Sequence, residues 1–150
     1  MNSQNKYFDA GTKNAAIFQT TAPYQNPYQG KSPRWLFVCS AGLLRSPTGA
    51  ALAVKKGLNA RSCGSRPEFA LIPISANLIN WAQKIVFVND DNYHQALELF
   101  KDTGNLHYQL TTKSLVLDIL DMYNYNEPEL VVEFEKQIDW VRAVGGKTTY

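Results

Sequence analysis

Cysteine and histidine are scarce in this sequence, with two of each in 150 residues. Cys39 and Cys63 are too few to staple a small secreted domain. His94 and His107 have no ligand spacing to either cysteine, so a metal site built from these types is poorly supplied, and neither metal nor cofactor is expected. No apolar run approaches the roughly 20 residues that cross a bilayer. The formal net charge of +2 is too small to argue for nucleic acid or an anionic membrane as partner. The N-terminal MNSQNKYFDAGTKN lacks the apolar core of a signal peptide, so a cytoplasmic protein is expected. Internal repeats are absent as well.

What remains is a chain long enough for one domain with a real core. Residues 1–33 differ from the rest: they are rich in Asn, Gln, Thr and Tyr, with three prolines in TTAPYQNPYQGKSP. They read as a polar, loosely packed arm, although Tyr24 and Tyr28 leave packing onto the domain or a partner open. From residue 34 the pattern alternates. RWLFVC (34–39) and KIVFVN (84–89) read as short buried strands, SLVLDI (114–119) as a third apolar strand, and NARSC (59–63) is short enough to be another. Between them, SPTGAALAVKKG (46–57) predicts a helix with Pro47 in its first turn and Gly57 at its end. PISANLINWAQ (73–83) predicts a second. A third runs from Asp90, as N-cap, to Gly104. Pro128 opens a fourth, with Leu130, Phe134, Ile138 and Val141 on one face. Such alternation predicts an α/β domain over 34–144, a parallel sheet with helices on both faces, and a short tail at 145–150.

The stretch FVCSAGLLRSP (37–47) carries the chemistry. In open α/β sheets ligands bind beyond the carboxyl ends of the strands. Cys39 falls at such an end, and the loop after it runs directly into a helix. The backbone of Ser40, Ala41, Gly42, Leu43 and Leu44 can turn several N–H groups inward, and the helix N-terminus adds partial positive charge. Such a cradle suits an anion of phosphate size and a thiolate at its base. Arg45 adds a planar fork for two phosphoryl oxygens, and Ser46 a hydroxyl for the sulfur. The competing reading is a buried strand cysteine followed by an ordinary helix.

WLFVCSAGLLRSPTGAALA resembles the low-molecular-weight protein tyrosine phosphatases, whose signature is Cys, five residues, Arg, Ser/Thr, Pro. The resemblance extends to Val141 through ARSCGSRP, WAQKIVFVN and LDILDMYNYNEPEL, the last closest to a bacterial and phage branch. It implies a three-layer, flavodoxin-like sandwich with a four-stranded parallel sheet in the order 2-1-3-4. It also implies a phosphomonoester hydrolase working through a phosphocysteine: Cys39 as nucleophile, Arg45 as anion clamp, Ser46 assisting the sulfur, and Asp121 as acid and then base. Asp118 is the alternative acid. Tyr123 and Leu43 match the apolar walls of the family's substrate cleft. The implied partner is a phosphorylated protein or a small phosphomonoester; oligomeric state stays open.

Three departures from the family pattern matter. Ala41-Gly42 replaces Gly-Asn, and glycine adopts the left-handed conformation that the asparagine holds there. Leu44 replaces a second loop cysteine, while Cys63 adds one on the neighbouring strand, able to reach Cys39 only if their Cα atoms lie within about 7 Å. Leu120 and Met122 replace the prolines that stiffen the acid loop. Two further classes compete: a non-catalytic phosphate or phosphopeptide binder, and a phosphocarrier domain of sugar-transport type, to whose VCAAGMS the segment VCSAGLL is similar. The phosphocarrier needs neither Arg45 nor a late-loop Asp. Arsenate reduction would need more cysteines than are present.

Overall fold

A computed structural model describes residues 32–145. The expected arm lies outside these residues except for Ser32 and Pro33, as does the tail beyond Gly145. Four strands form one sheet: β1 (Arg34–Cys39), β2 (Asn59–Gly64), β3 (Lys84–Phe87) and β4 (Ser114–Val116). All pairs are parallel and the order is β2-β1-β3-β4, as the resemblance implied. Among the described residues six helices connect and follow them: α1 (Arg45–Lys55), α2 (Ala76–Trp81), α3 (Asp90–Leu99), α4 (Gly104–Lys113), α5 (Pro128–Gln137) and α6 (Trp140–Gly145).

The side-chain alternation of β1 divides the core into two layers. Trp35, Phe37 and Cys39 face α1, α5 and α6, where they meet Ala50, Leu130, Phe134 and Trp140. Leu36 and Val38 face α2, α3 and α4, among Leu78, Ile79, Ala96 and Leu110. α1 approaches the sheet closely because Gly49 has no side chain: a Cβ there would stand 2.7 Å from the rings of both Phe134 and Phe37.

The structure corrects several boundaries. Asn89, not Asp90, caps α3, its side chain accepting from the Asn92 N–H at 3.3 Å. The helix expected to run to Gly104 ends at Leu99, and α4, which the sequence reading lacked, begins at Gly104. Only Leu106 and Leu110 of α4 are buried, too sparse a stripe to stand out. The last predicted helix is two: α5 ends at Gln137, and α6 turns Val141 outward, 85% exposed, while Trp140 packs inward.

Candidate active site

β1 delivers Cys39 to the carboxyl edge of the sheet, and α1 begins six residues later at Arg45. The loop between them can fold only around Gly42. Its φ is +73°, and a Cβ there would lie 2.8 Å from the carbonyl carbon of Cys63 and 3.0 Å from the Gly64 nitrogen. The left-handed turn expected at Gly42 is therefore present, and the space is closed to any larger residue. The carbonyls of Cys39 and Ser40 accept from the Ser65 and Arg66 N–H groups at 2.8 and 3.1 Å. With those oxygens tied to the chain leaving β2, the Gly42 N–H points at the Cys39 sulfur, 3.2 Å away.

Cys39 Sγ lies 3.1 Å from Ser46 Oγ, which also reaches the Cys63 carbonyl at 3.2 Å. Ser46 has one proton and cannot give it to both. With Cys39 as a thiol, the proton chain runs from sulfur to Ser46 to the Cys63 carbonyl. With Cys39 as a thiolate, Ser46 turns its proton to the sulfur. α1 has no side-chain cap and no acidic residue in its first turn, which leaves its positive end open toward the loop. Arg45 is 2% exposed. Its Nη1 donates to the Ile119 carbonyl at 2.9 Å and its Nε stands 3.5 Å from Asp121 Oδ1. Nη2 makes no hydrogen bond among the described residues and stays available to a ligand.

Cys39, Ser40, Ala41, Leu43, Leu44, Arg45 and Asp121 line one cavity of about 260 Å³. Leu43 and Leu44 are exposed at its rim, and the Asp121 side chain is 70% exposed. The structure thus gathers the cysteine, the arginine and the acid of the late loop. It does not gather Tyr123: this side chain packs on the core layer of α1 and α5 and does not line the cavity. Asp118 is exposed and lies outside the cavity as well, its backbone N–H and carbonyl bonded to Gln137. A larger depression of about 510 Å³ lies between residues 65–68 and α3, but neither Cys39 nor Arg45 borders it. Chemistry rather than size selects the smaller site.

Cys63 is buried opposite Val38 in the register, and both belong to the layer of α2, α3 and α4. Cys39 pairs with Gly64 and faces the other layer. Both thiols are free. A disulfide between them would have to cross the sheet, so this geometry does not support the conditional redox pairing, and Cys63 stands as a small buried thiol. Burial, and next the charge of Cys39, push the Cys63 thiol well above its ordinary value, so it stays protonated. Among the described residues no group of three or more His, Cys, Asp or Glu is placed to hold a metal ion. None of their helices is long and apolar enough to cross a membrane.

The sequence reading missed the residues behind the loop. Asn92, 1% exposed on α3, donates to Ser40 Oγ at 3.0 Å and to Ser65 Oγ at 3.2 Å. Asn89 donates to the same Ile119 carbonyl that holds Arg45, at 3.4 Å. The only signal was an asparagine pair three apart, which ordinary helix capping explains equally well.

No family model matches the sequence, and no curated protein matches it significantly. Solved structures do. The chain is similar to the YwlE arginine phosphatase of Geobacillus stearothermophilus at 17% identity, covering 78% of this chain and 93% of that one with a TM-score of 0.55. It is similar to Vibrio vulnificus Wzb, solved with benzylphosphonate, at 12% identity over 79% and 99% of the two chains, TM-score 0.54. For the tyrosine phosphatase AmsI of Erwinia amylovora the values are 14%, 75%, 93% and 0.52. At such identities the likeness speaks for architecture, and it is the architecture that the resemblance implied: this chain has the fold of these phosphatases.

Proposed function

We propose that the protein is a cysteine-dependent phosphomonoester hydrolase acting through a phosphocysteine. One observation carries this reading: Cys39 Sγ accepts from an inward-facing backbone N–H and stands beside the Ser46 hydroxyl, in a cavity shared with Arg45. A buried structural cysteine has no use for that environment. The loop amides and the α1 N-terminus bind the phosphoryl oxygens, with the free Nη2 of Arg45 joining them. The sulfur attacks phosphorus in line, and Asp121, at the cavity mouth, protonates the leaving oxygen. Asp121 then takes a proton from water as that water attacks the phosphocysteine, and Ser46 stabilises the departing thiolate. The acid reaches this position through a loop tied to Arg45 by the Ile119 carbonyl.

Structures of this fold include an arginine phosphatase and a tyrosine phosphatase, which supports an aryl phosphate as the default substrate and adds a phosphoramidate to the classes to be tested. The exposed Leu43 and Leu44 at the rim favour a flat or apolar leaving group. Phosphate release from phosphotyrosyl, phosphoarginyl and phosphoseryl peptides, nucleotides and sugar phosphates tests the reading. The wild type turns over at least one class, and Cys39→Ser loses on the order of 10³-fold or more. If the wild type does no better than Cys39→Ser on every class, the protein is a phosphate binder instead.

A further inference from the structure

Ser40 borders the anion cavity, and its Oγ accepts from Asn92 Nδ2 at 3.0 Å. The Ser40 proton itself has no acceptor among the described residues. An unengaged O–H at the edge of a site for an oxyanion is an additional donor, provided something holds the oxygen with the proton turned toward the ligand. Asn92 supplies that hold. Its Nδ2 also donates to Ser65 Oγ at 3.2 Å, and Ser65 passes its own proton to Gln95 Oε1 at 2.5 Å. Ser65 Oγ, having given its proton away, needs a donor, which orients the amide with nitrogen rather than oxygen toward the two serines. Asn92 Oδ1 is left buried with no bond, a costly arrangement for a residue that only fills space.

We propose that Asn92 is a positioning residue of the anion site, acting through Ser40. Its amide occupies an acceptor lobe of Ser40 Oγ and so directs the Ser40 hydroxyl proton at a bound phosphoryl oxygen. The chain amide to hydroxyl to anion strengthens along its length, because each donor polarises the next. The helix that carries Asn92 is already fixed to the site at a second point: Asn89, which caps it, donates to the carbonyl that holds Arg45. α3 therefore supports both ends of the pocket from one face. The inference deepens the hydrolase reading and rests on it for the identity of the anion.

The experiment measures inorganic phosphate affinity by titration, together with kcat and KM for an aryl phosphate, in wild type, Ser40→Ala, Asn92→Ala, Asn92→Asp and the double variant Ser40→Ala/Asn92→Ala. Ser40→Ala and Asn92→Ala each weaken phosphate binding roughly tenfold, as loss of a bond to a charged group does. The double variant binds no more weakly than Ser40→Ala alone, since both changes remove the same bond. Asn92→Asp keeps the shape of the side chain but draws the Ser40 proton away from the anion, so it binds phosphate at least as poorly as Asn92→Ala. A carboxylate there also repels the anion directly, so the coupling to Ser40 in the double variant is what separates positioning from a merely structural role, which lowers Tm and leaves phosphate affinity unchanged. Ser40→Ala sits on a half-buried loop and reads the same bond should Asn92→Ala not fold. Asn92 variants that lower Tm yet bind phosphate like wild type overturn the inference, as do additive effects in the double variant. If phosphate binding depends on Asn92 in this way while no ester is hydrolysed, the hydrolase reading falls and the positioning role stands. If the wild type binds no phosphate, both fall.

Discussion

The loop that carries the cysteine and the loop that carries the acid meet at one cavity, yet they are built on opposite principles. In the first, Cys39, Arg45 and Ser46 are at most 3% exposed. Backbone bonds from residues 65 and 66, a glycine fitted against β2 and two serines bonded to Asn92 hold it. In the second, Leu120, Asp121 and Met122 are each well over half exposed. Its backbone bonds to the domain lie at its ends, where Ile119 N–H donates to the Val88 carbonyl and Asn126 N–H to Thr48 Oγ1, while between them Asp121 stands beside Arg45 and Tyr123 packs on the core. On the proposed mechanism, anion binding and nucleophile placement are thus fixed before a ligand arrives, at no cost in reorganisation. The proposed proton donor, Asp121, sits on a segment with no proline at 120 or 122 to limit its freedom. On the proposed mechanism the tightly bonded loop sets whether the reaction occurs, and the exposed one sets how well a poor leaving group departs.

The largest effect expected from breaking this contrast comes from the rigid side. Gly42→Ala forces a side chain into a left-handed backbone and against the Cys63 backbone. Turnover should fall on the order of 10³-fold as the loop amides lose their aim, with a drop in Tm on the same sample. Activity within a few-fold of wild type would show that the loop is softer than its packing implies. On the exposed side, Asp121→Asn should slow an alkyl or unactivated aryl phosphate on the order of 10²-fold. A substrate with a nitrophenolate-like leaving group should be nearly unaffected, because it departs without a proton. Equal losses on both substrates would reassign Asp121 to structure, through its contact with Arg45.

The smallest effect concerns the thiol beneath the rigid loop. Burial raises the pKa of Cys63 in the folded protein above its ordinary 9.0. The unfolded chain then ionises first as pH rises, so stability is full below that value and is lost above it, by up to about 1.4 kcal/mol per pH unit. Chemical denaturation of wild type and Cys63→Val at pH 7 and pH 10 checks this. The wild type should lose more than the variant. An equal pH dependence would mean that Cys63 is less sealed off than its position on β2 implies.

Much of this was legible in the residues. Cys39 at the end of an apolar run, Arg45 and Ser46 six and seven positions later, and Pro47 in a helical first turn point to a strand, a loop and a helix because local sterics and hydropathy act within a few residues. The glycine at 42 was legible for the same reason. α4 was hidden because two buried leucines in ten residues leave little periodic signal, and the helix is held by what it packs on. The split after Gln137 was hidden too, since Val141 continues the spacing of an apolar face that the chain itself abandons.

The sequence by itself determined the strand–loop–helix unit and the chemical types available at it, because both depend on neighbours along the chain. Only the tertiary structure decided which distant groups serve that unit. The sheet register put Cys63 on the far face from Cys39, removing a partner that its place at the end of the neighbouring strand had left open. The docking of α3 brought Asn92 to Ser40 across 52 positions, and the exit of β4 brought the Ile119 carbonyl to Arg45 across 74. Such contacts follow from how layers stack around a common core, and no local pattern encodes them.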